Sequence, residues 1–304
     1  MKPSVRACLA ALALSAAPLA LAPSVFAQAT EDLQVEVVEV ASGVYMLVGR
    51  GGNIGVSLGV DGVFLVDDQY AVLSDEIIAA IRAISDGPIR FVLNTHWHRD
   101  HVDGNENLSA AGALIIAHQK VRERMSVEQY IEALDRRVPP APERALPAVT
   151  FGESVTFHLN DEEIHVFHVN AHTDGDAIVH FRKGNVLHMG DVHFSGMYPF
   201  IDVSSGGSID GMIGAVEMVL AMIDDETKVI PGHGPLSDKT DLQEYRDMLV
   251  GVRDAVAEQI AMGKDRDAVI AAKPTAAFDP EWGGVWLSPD QFTAIVFSDL
   301  ARKR

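Results

Sequence analysis

The sequence predicts an α/β fold in which two β-sheets pack face to face with helices outside. Short apolar runs bounded by glycine turns alternate with longer amphipathic stretches, and this cycle occurs twice along the chain. A chain of 304 residues is long enough to bury a large core. Its 48% hydrophobic and 22% charged residues are the balance of a globular protein rather than a disordered one.

The elements follow in order from Gln34. Residues 35–40, 44–48, 54–60 and 63–66 are apolar runs separated by Ser42-Gly43, Gly51-Gly52-Asn53 and Asp61-Gly62, the spacing of a β-meander. Leu73, Ile77, Ile78, Ile81 and Ile84 form the stripe of an amphipathic helix. Pro88 closes that unit, and 89–93 is a short buried strand running into Thr95-His96-Trp97-His98-Arg99-Asp100-His101. A helix near 105–111, a strand at 113–117 and a helix after His118 come next. Four prolines make 137–148 a loop. Strands resume at 149–151, 154–158, 164–169, 177–181 and 185–188. A helix spans 208–223, a strand 228–230 ends at Pro231-Gly232-His233-Gly234, and helices fill 241–262 and 289–302.

The first 29 residues stand apart. Lys2 and Arg6 precede an apolar run from Ala7 to Ala22, and Ala27-Gln28-Ala29 is an A-x-A site with Val25-Phe26-Ala27 beside it. This is the pattern of a signal peptide removed on export. Pro18 breaks the run, which is too short for a membrane anchor. The expectation is a single domain over 30–304, delivered to the periplasm. Cys8 is the one cysteine and lies in the leader, so the exported chain has neither a disulfide nor a thiolate ligand. Acids outnumber bases 43 to 24, a net charge of -19, which argues against nucleic acid as partner. A small-molecule substrate is expected; nothing in the sequence sets the oligomeric state.

Three histidines and an aspartate within the six residues from His96 to His101 follow directly on a buried strand. His96 and His98, two apart, can point the same way from a strand end and share one metal. Asp100 and His101 follow in a loop and can serve a second. Imidazole nitrogens and carboxylate oxygens are zinc's ligands.

The motif resembles the H-x-H-x-D-H signature of the metallo-β-lactamase superfamily. Four further motifs match in order: Val66-Asp67, the loop Asn170-Ala171-His172-Thr173-Asp174-Gly175-Asp176 (Ala171 standing where Gly is usual), Met189-Gly190-Asp191, and Pro231-Gly232-His233-Gly234. The resemblance implies a four-layer αββα sandwich of the metallo-β-lactamase type. It also implies two zinc ions, one held by His96, His98 and His172, the other by Asp100, His101 and His233, with Asp191 shared. Asp67 would support a metal-binding histidine from behind. A hydroxide held by the metals would attack an acyl carbonyl, with Asp100 as the catalytic residue that orients it and passes a proton.

Among branches of that superfamily, the one with a cysteine ligand is excluded, and acidity disfavours the nucleases. Export favours a β-lactam as substrate and hence β-lactamase activity; a lactone or a thioester, as in glyoxalase II, is the alternative. An iron oxygenase and a non-catalytic metal-binding protein are the remaining classes. No Lys or Arg lies between Lys183 and Lys228, so a substrate carboxylate must be held by Arg50, Arg99 or the Ser204-Ser205 pair. Gly51-Gly52-Asn53 is either a plain hairpin turn or a flap. Tyr198 and Phe200 either wall the pocket or pack, and His193 is placed to face the cleft.

Overall fold

The computed structural model describes residues 34–302; the expected signal peptide lies outside them. The first sheet opens with the meander β1 (Glu36–Ala41), β2 (Val44–Val48), β3 (Ile54–Gly59) and β4 (Gly62–Val66). It continues through β5 (Ile89–Asn94), β6 (Leu114–His118) and, after the hairpin β7 (Gln129–Ile131) and β8 (Arg136–Val138), β9 (Val149–Phe151). The second sheet is β10 (Ser154–Leu159), β11 (Glu162–Val169), β12 (Asp176–Phe181), β13 (Val186–His188) and β14 (Lys228–Ile230), in that order. The helices are α1 (Ser74–Ile84), α2 (Arg99–Val102), α3 (Asn105–Ala110), α4 (Gln119–Met125), α5 (Ile209–Met222), α6 (Lys239–Ala261), α7 (Arg266–Ala271), α8 (Asp279–Trp282) and α9 (Pro289–Arg302).

Three apolar clusters define four layers. Val44, Met46, Phe64 and Leu93 of the first sheet meet Ile164, Val166, Val179 and Phe181 of the second, burying one face of each. The opposite face of the first sheet, with Val56, Leu65 and Val92, is covered by Leu73, Ile77 and Ile81 at α1. That of the second, with Ile178, Leu187 and Val229, is covered by α5, α6 and α9. The expected αββα sandwich is therefore present. A Ser208 side chain accepting from Gly211 N starts α5, and a capping box of Asp238 and Asp241 starts α6.

The topology gathers one set of loops. β4, β5 and β6 run parallel, as do β13 and β14, while β11 is two antiparallel steps from β13 and so shares its direction. The carboxyl ends of β4, β5, β11, β13 and β14 carry Asp67, His96–His101, His172, Asp191 and His233 respectively.

Several elements depart from expectation. Residues 137–148 are not all loop: Arg136–Val138 pairs with Gln129–Ile131, and the prolines begin only beyond it. Asp100 and His101 lie in the one-turn helix α2 rather than a loop. The short helices α7 and α8 present too few turns for an apolar stripe to be read. No helix among the described residues is long and apolar enough to cross a membrane.

Candidate metal centre

Asp67 holds the ligand segment in place. Its backbone is left-handed, φ 66°, rare for a residue with a side chain and a common mark of functional sites. The turn aims its carboxylate at Thr95 N (2.7 Å), Thr95 Oγ1 (2.8 Å) and His101 Nδ1 (2.8 Å). The hairpin turn 51–53 is fastened over the same segment. Gly52 N donates to Asp100 O at 3.0 Å, and Gln69 Nε2 donates to Gly52 O at 2.7 Å. Asn53 Nδ2 donates to the carbonyls of Pro231 and Gly234, joining this turn to the His233 loop. The turn is thus a pinned hairpin rather than a flap.

The partners behind each imidazole fix its tautomer. A carboxylate or carbonyl oxygen only accepts, so His101 Nδ1 donates to Asp67, His98 Nε2 to Asp202 Oδ2 at 3.0 Å, and His172 Nδ1 to Phe200 O at 2.8 Å. Thr95 Oγ1 spends its proton on Asp67 and so accepts from His96 Nδ1 at 3.0 Å. In the neutral rings, every other nitrogen is therefore a lone pair directed inward. His98 Nδ1 and His172 Nε2 face each other at 2.8 Å, and His101 Nε2 faces His233 Nε2 at 3.3 Å. The buried His96 Nε2 has no hydrogen-bond partner.

Carboxylates complete the ring. Asp191 Oδ2 lies 3.7 Å from His96 Nε2 and 3.5 Å from His172 Nε2, while its Oδ1 lies 3.1 Å from His101 Nε2 and 3.5 Å from His233 Nε2. Asp100 Oδ2 is 3.3 Å from His233 Nε2. The seven predicted residues thus form two clusters that could each hold a metal ion: His96, His98, His172 and Asp191, and Asp100, His101 and His233. Asp191 presents one oxygen to each.

Inward-facing imidazole lone pairs gathered around two carboxylates form a centre that attracts a cation. Burial drives His96 well below its usual pKa and takes His172 down to about 4, leaving both neutral. Burial alone would raise Asp191, but the imidazoles of His101, His233 and His96 hold it well below the carboxylate range. His101 runs the other way: burial opposes its charge, yet Asp191, Asp100 and Asp67 outweigh it and raise its pKa well above 6.5. A proton there stands in for part of the positive charge the site attracts.

The centre opens on a cavity of about 600 Å³ bordered by Asp100, His233, Arg50, Met46, Met197 and Trp286. Of the three candidate carboxylate anchors, only Arg50 lines it. Arg99 turns to Asp103 at 3.2 Å, and Ser204 donates to Asp202. His193 does not face the cleft; it is fully buried against Tyr245, 3.0 Å from Ser237 Oγ. Tyr198 packs on Phe292, whereas Phe200 lies edge-on to His172 and close to Trp286. Sequence reasoning missed Asp202 and the Phe200 carbonyl, the two groups that orient His98 and His172.

The family model for the metallo-beta-lactamase superfamily matches residues 50–252. A hydroxyacylglutathione hydrolase from Polaromonas sp. is 31% identical over 165 residues, 53% of this chain and 54% of that protein. Another from Erythrobacter litoralis is 30% identical over 108 residues, 35% of each chain. The chain spans about half, or less, of the length of these curated relatives. Among solved structures, a metallo-beta-lactamase from Pontibacter korlensis superposes with a TM-score of 0.59 at 18% identity, covering 71% of this chain and 99% of that one. A sec-alkylsulfatase from Pseudomonas sp. gives 0.65 at 16% identity, covering 87% and 50%. At such identities the structural likeness is one of fold. The family match over more than half the chain goes further, and this chain belongs to the metallo-beta-lactamase superfamily.

Proposed function

We propose that this chain is an exported dizinc hydrolase that opens an acyl bond in a monoanionic substrate with an apolar body, with a β-lactam amide as the leading candidate. The observation that carries this reading is the cluster of inward-facing imidazoles and carboxylates, in which Asp191 offers one oxygen to each histidine cluster. His96, His98 and His172 would hold one ion, Asp100, His101 and His233 the other, and Asp191 both. When bound, a zinc pair supplies an acidified water as nucleophile and polarises the acyl oxygen.

The chain's own residues do the rest. Asp67, Thr95, Asp202 and the Phe200 carbonyl fix the four buried imidazoles, so no reorganisation is needed as charge develops. Asp100, its side chain 25% exposed, is the carboxylate of the centre that lines the cavity. Burial would raise its pKa, but His101 and His233 hold it down, so it stays ionised and ready to take a proton at Oδ2. It can then pass that proton to the departing atom. Met46, Val48, Leu236 and Trp286 give the cavity apolar walls for the substrate body. Arg50 makes no ion pair with another described residue and is free to take one carboxylate, while Glu36 on the same wall disfavours a second.

Removal of Arg50 tests the substrate class. Arg50→Ala is expected to raise KM about tenfold for a penicillin-type substrate while leaving kcat nearly unchanged, the signature of lost ground-state binding. Asp202→Ala is expected to weaken zinc binding by roughly 10–100-fold, read by competition with a chromogenic chelator.

A second reading, hydrolysis of a thioester, is supported by the names of the curated relatives. Zinc-loaded protein assayed on a chromogenic β-lactam, a lactone and an acyl thioester separates the two. Opening of the β-lactam supports the leading reading; ready opening of the thioester with every β-lactam intact replaces it with the second.

A further inference from the structure

The loop between α8 and α9, residues 283–286, carries an aromatic ring to the mouth of the metal centre. Both of its ends are fixed: Trp282 and Leu287 are buried, and Trp282 O accepts from Tyr198 N at 3.0 Å. Gly284, with φ 89°, makes the turn between them. Trp286 is 52% exposed, yet it lines the cavity over the metal centre together with Arg50, Asp100 and His233. An indole left this open in a cavity wall is a surface for an apolar partner.

The ring is held rather than loose. It lies 6.2 Å from the Phe194 ring with 10° between their planes, and 6.4 Å from the His233 imidazole with 29°. Phe194 itself stacks on His233 at 5.2 Å and 19°. Phe200 stands across this set, 5.8 Å from the indole at 67°. Three nearly parallel rings with a fourth braced against them give the indole one orientation. The partly exposed Met197 borders the same cavity, and a thioether is polarisable and favours aromatic neighbours. Aliphatic walls reward apolar area alone; a fixed indole also rewards a second flat ring.

We propose that Trp286 is a specificity-determining residue, selecting substrates that carry an aromatic ring within a few bonds of the reacting carbonyl. This rests on the reading of the centre as an acyl hydrolase. The position follows from distance: the indole centroid is 6.4 Å from that of the His233 imidazole, so a ring stacked on it lies close to a carbonyl held at the metal centre. An arylacetyl group, with a flat ring one methylene from the carbonyl, has this chemistry. Trp286 lies beyond residues 50–252, so the selection belongs to the C-terminal segment rather than to the part of the chain that matches the family.

Calorimetry of the zinc-loaded full chain tests this with two probes of one shape, N-(phenylacetyl)glycine and N-(cyclohexylacetyl)glycine. The saturated ring is the more apolar, so area alone favours it. Stacking favours the phenyl ring, which is expected to bind about fivefold tighter. Trp286→Leu, an exposed change that keeps an apolar wall, should abolish that preference, and Trp286→Phe should keep part of it. Equal or tighter binding of the cyclohexyl probe by the parent, no saturable binding of either probe, or a preference that survives Trp286→Leu would overturn the proposal. Binding requires no turnover. A chain that opens no acyl bond, yet shows a phenyl preference lost in Trp286→Leu, contradicts the proposed reaction while upholding selection by Trp286.

Discussion

Replacing Asp191 by alanine is expected to lower kcat/KM on the order of 10³-fold and to reduce bound zinc, while the fold survives. The reason lies in how the two clusters share it: Oδ2 faces His96 and His172, and Oδ1 faces His101 and His233. Among the described residues no other carboxylate pairs with histidines of both clusters, so its loss leaves each set of lone pairs without that oxygen. A metal ion contributes several kcal/mol of transition-state stabilisation, and each 1.36 kcal/mol is tenfold in rate. Stability should change far less, because the three apolar clusters that hold the sheets and helices together include none of the seven ligands. Metal content, circular dichroism and turnover on the same sample separate these effects. Full metal content with unchanged turnover would show that Asp191 has no place in the centre.

Gly52→Ala should be nearly as damaging, although Gly52 itself bears no functional group. A Cβ there would stand 2.1 Å from His101 Cε1 and 2.5 Å from its Nε2. His101 cannot yield, being fully buried and held by Asp67. Nor can the turn lift freely, because Gly52 N and Asn53 N are bonded to Asp100 O and Gly232 O at 3.0 and 2.7 Å. The strain therefore falls on the imidazole, and a displacement of about 1 Å at a reacting centre costs roughly 10²-fold in rate. Overpacking of this kind also costs about 1–3 kcal/mol of stability. Gly152→Ala is the control, since a Cβ at Gly152 meets nothing within 4 Å and should leave both rate and stability within about 0.5 kcal/mol of the parent. Equal behaviour of the two variants would refute the close approach of this turn to His101.

His96, His98, Asp100 and His101 were legible because three histidines and an aspartate crowd six residues directly after a buried strand, whereas His172, Asp191 and His233 were assigned through the resemblance to the superfamily's motifs. His96 and His98 could be paired from their spacing alone, and the apolar strand before each residue assigned by resemblance is consistent with a place on the same rim. What the spacing could not reveal is what stands behind the rings. Asp202 is 104 residues from His98, and the group behind His172 is a backbone carbonyl, which has no side-chain signature at all. Gly52 read as an ordinary turn residue because the imidazole it makes room for lies 49 positions on. His193, two residues past Asp191, was placed toward the cleft by proximity in sequence. The tight turn at Gly190–Val192 instead sends its ring beneath Tyr245. The β7–β8 hairpin was hidden for a simpler reason: strands of three residues are too short for alternation to register.

The proposed centre holds two zinc ions through these seven residues. The most direct measurement is the metal stoichiometry of chelator-stripped protein titrated with zinc, followed by elemental analysis of the loaded chain and of Asp191→Ala. Two zinc ions per chain are expected in the parent and fewer in the variant. A single bound iron, or zinc uptake that Asp191→Ala leaves unchanged, would contradict it.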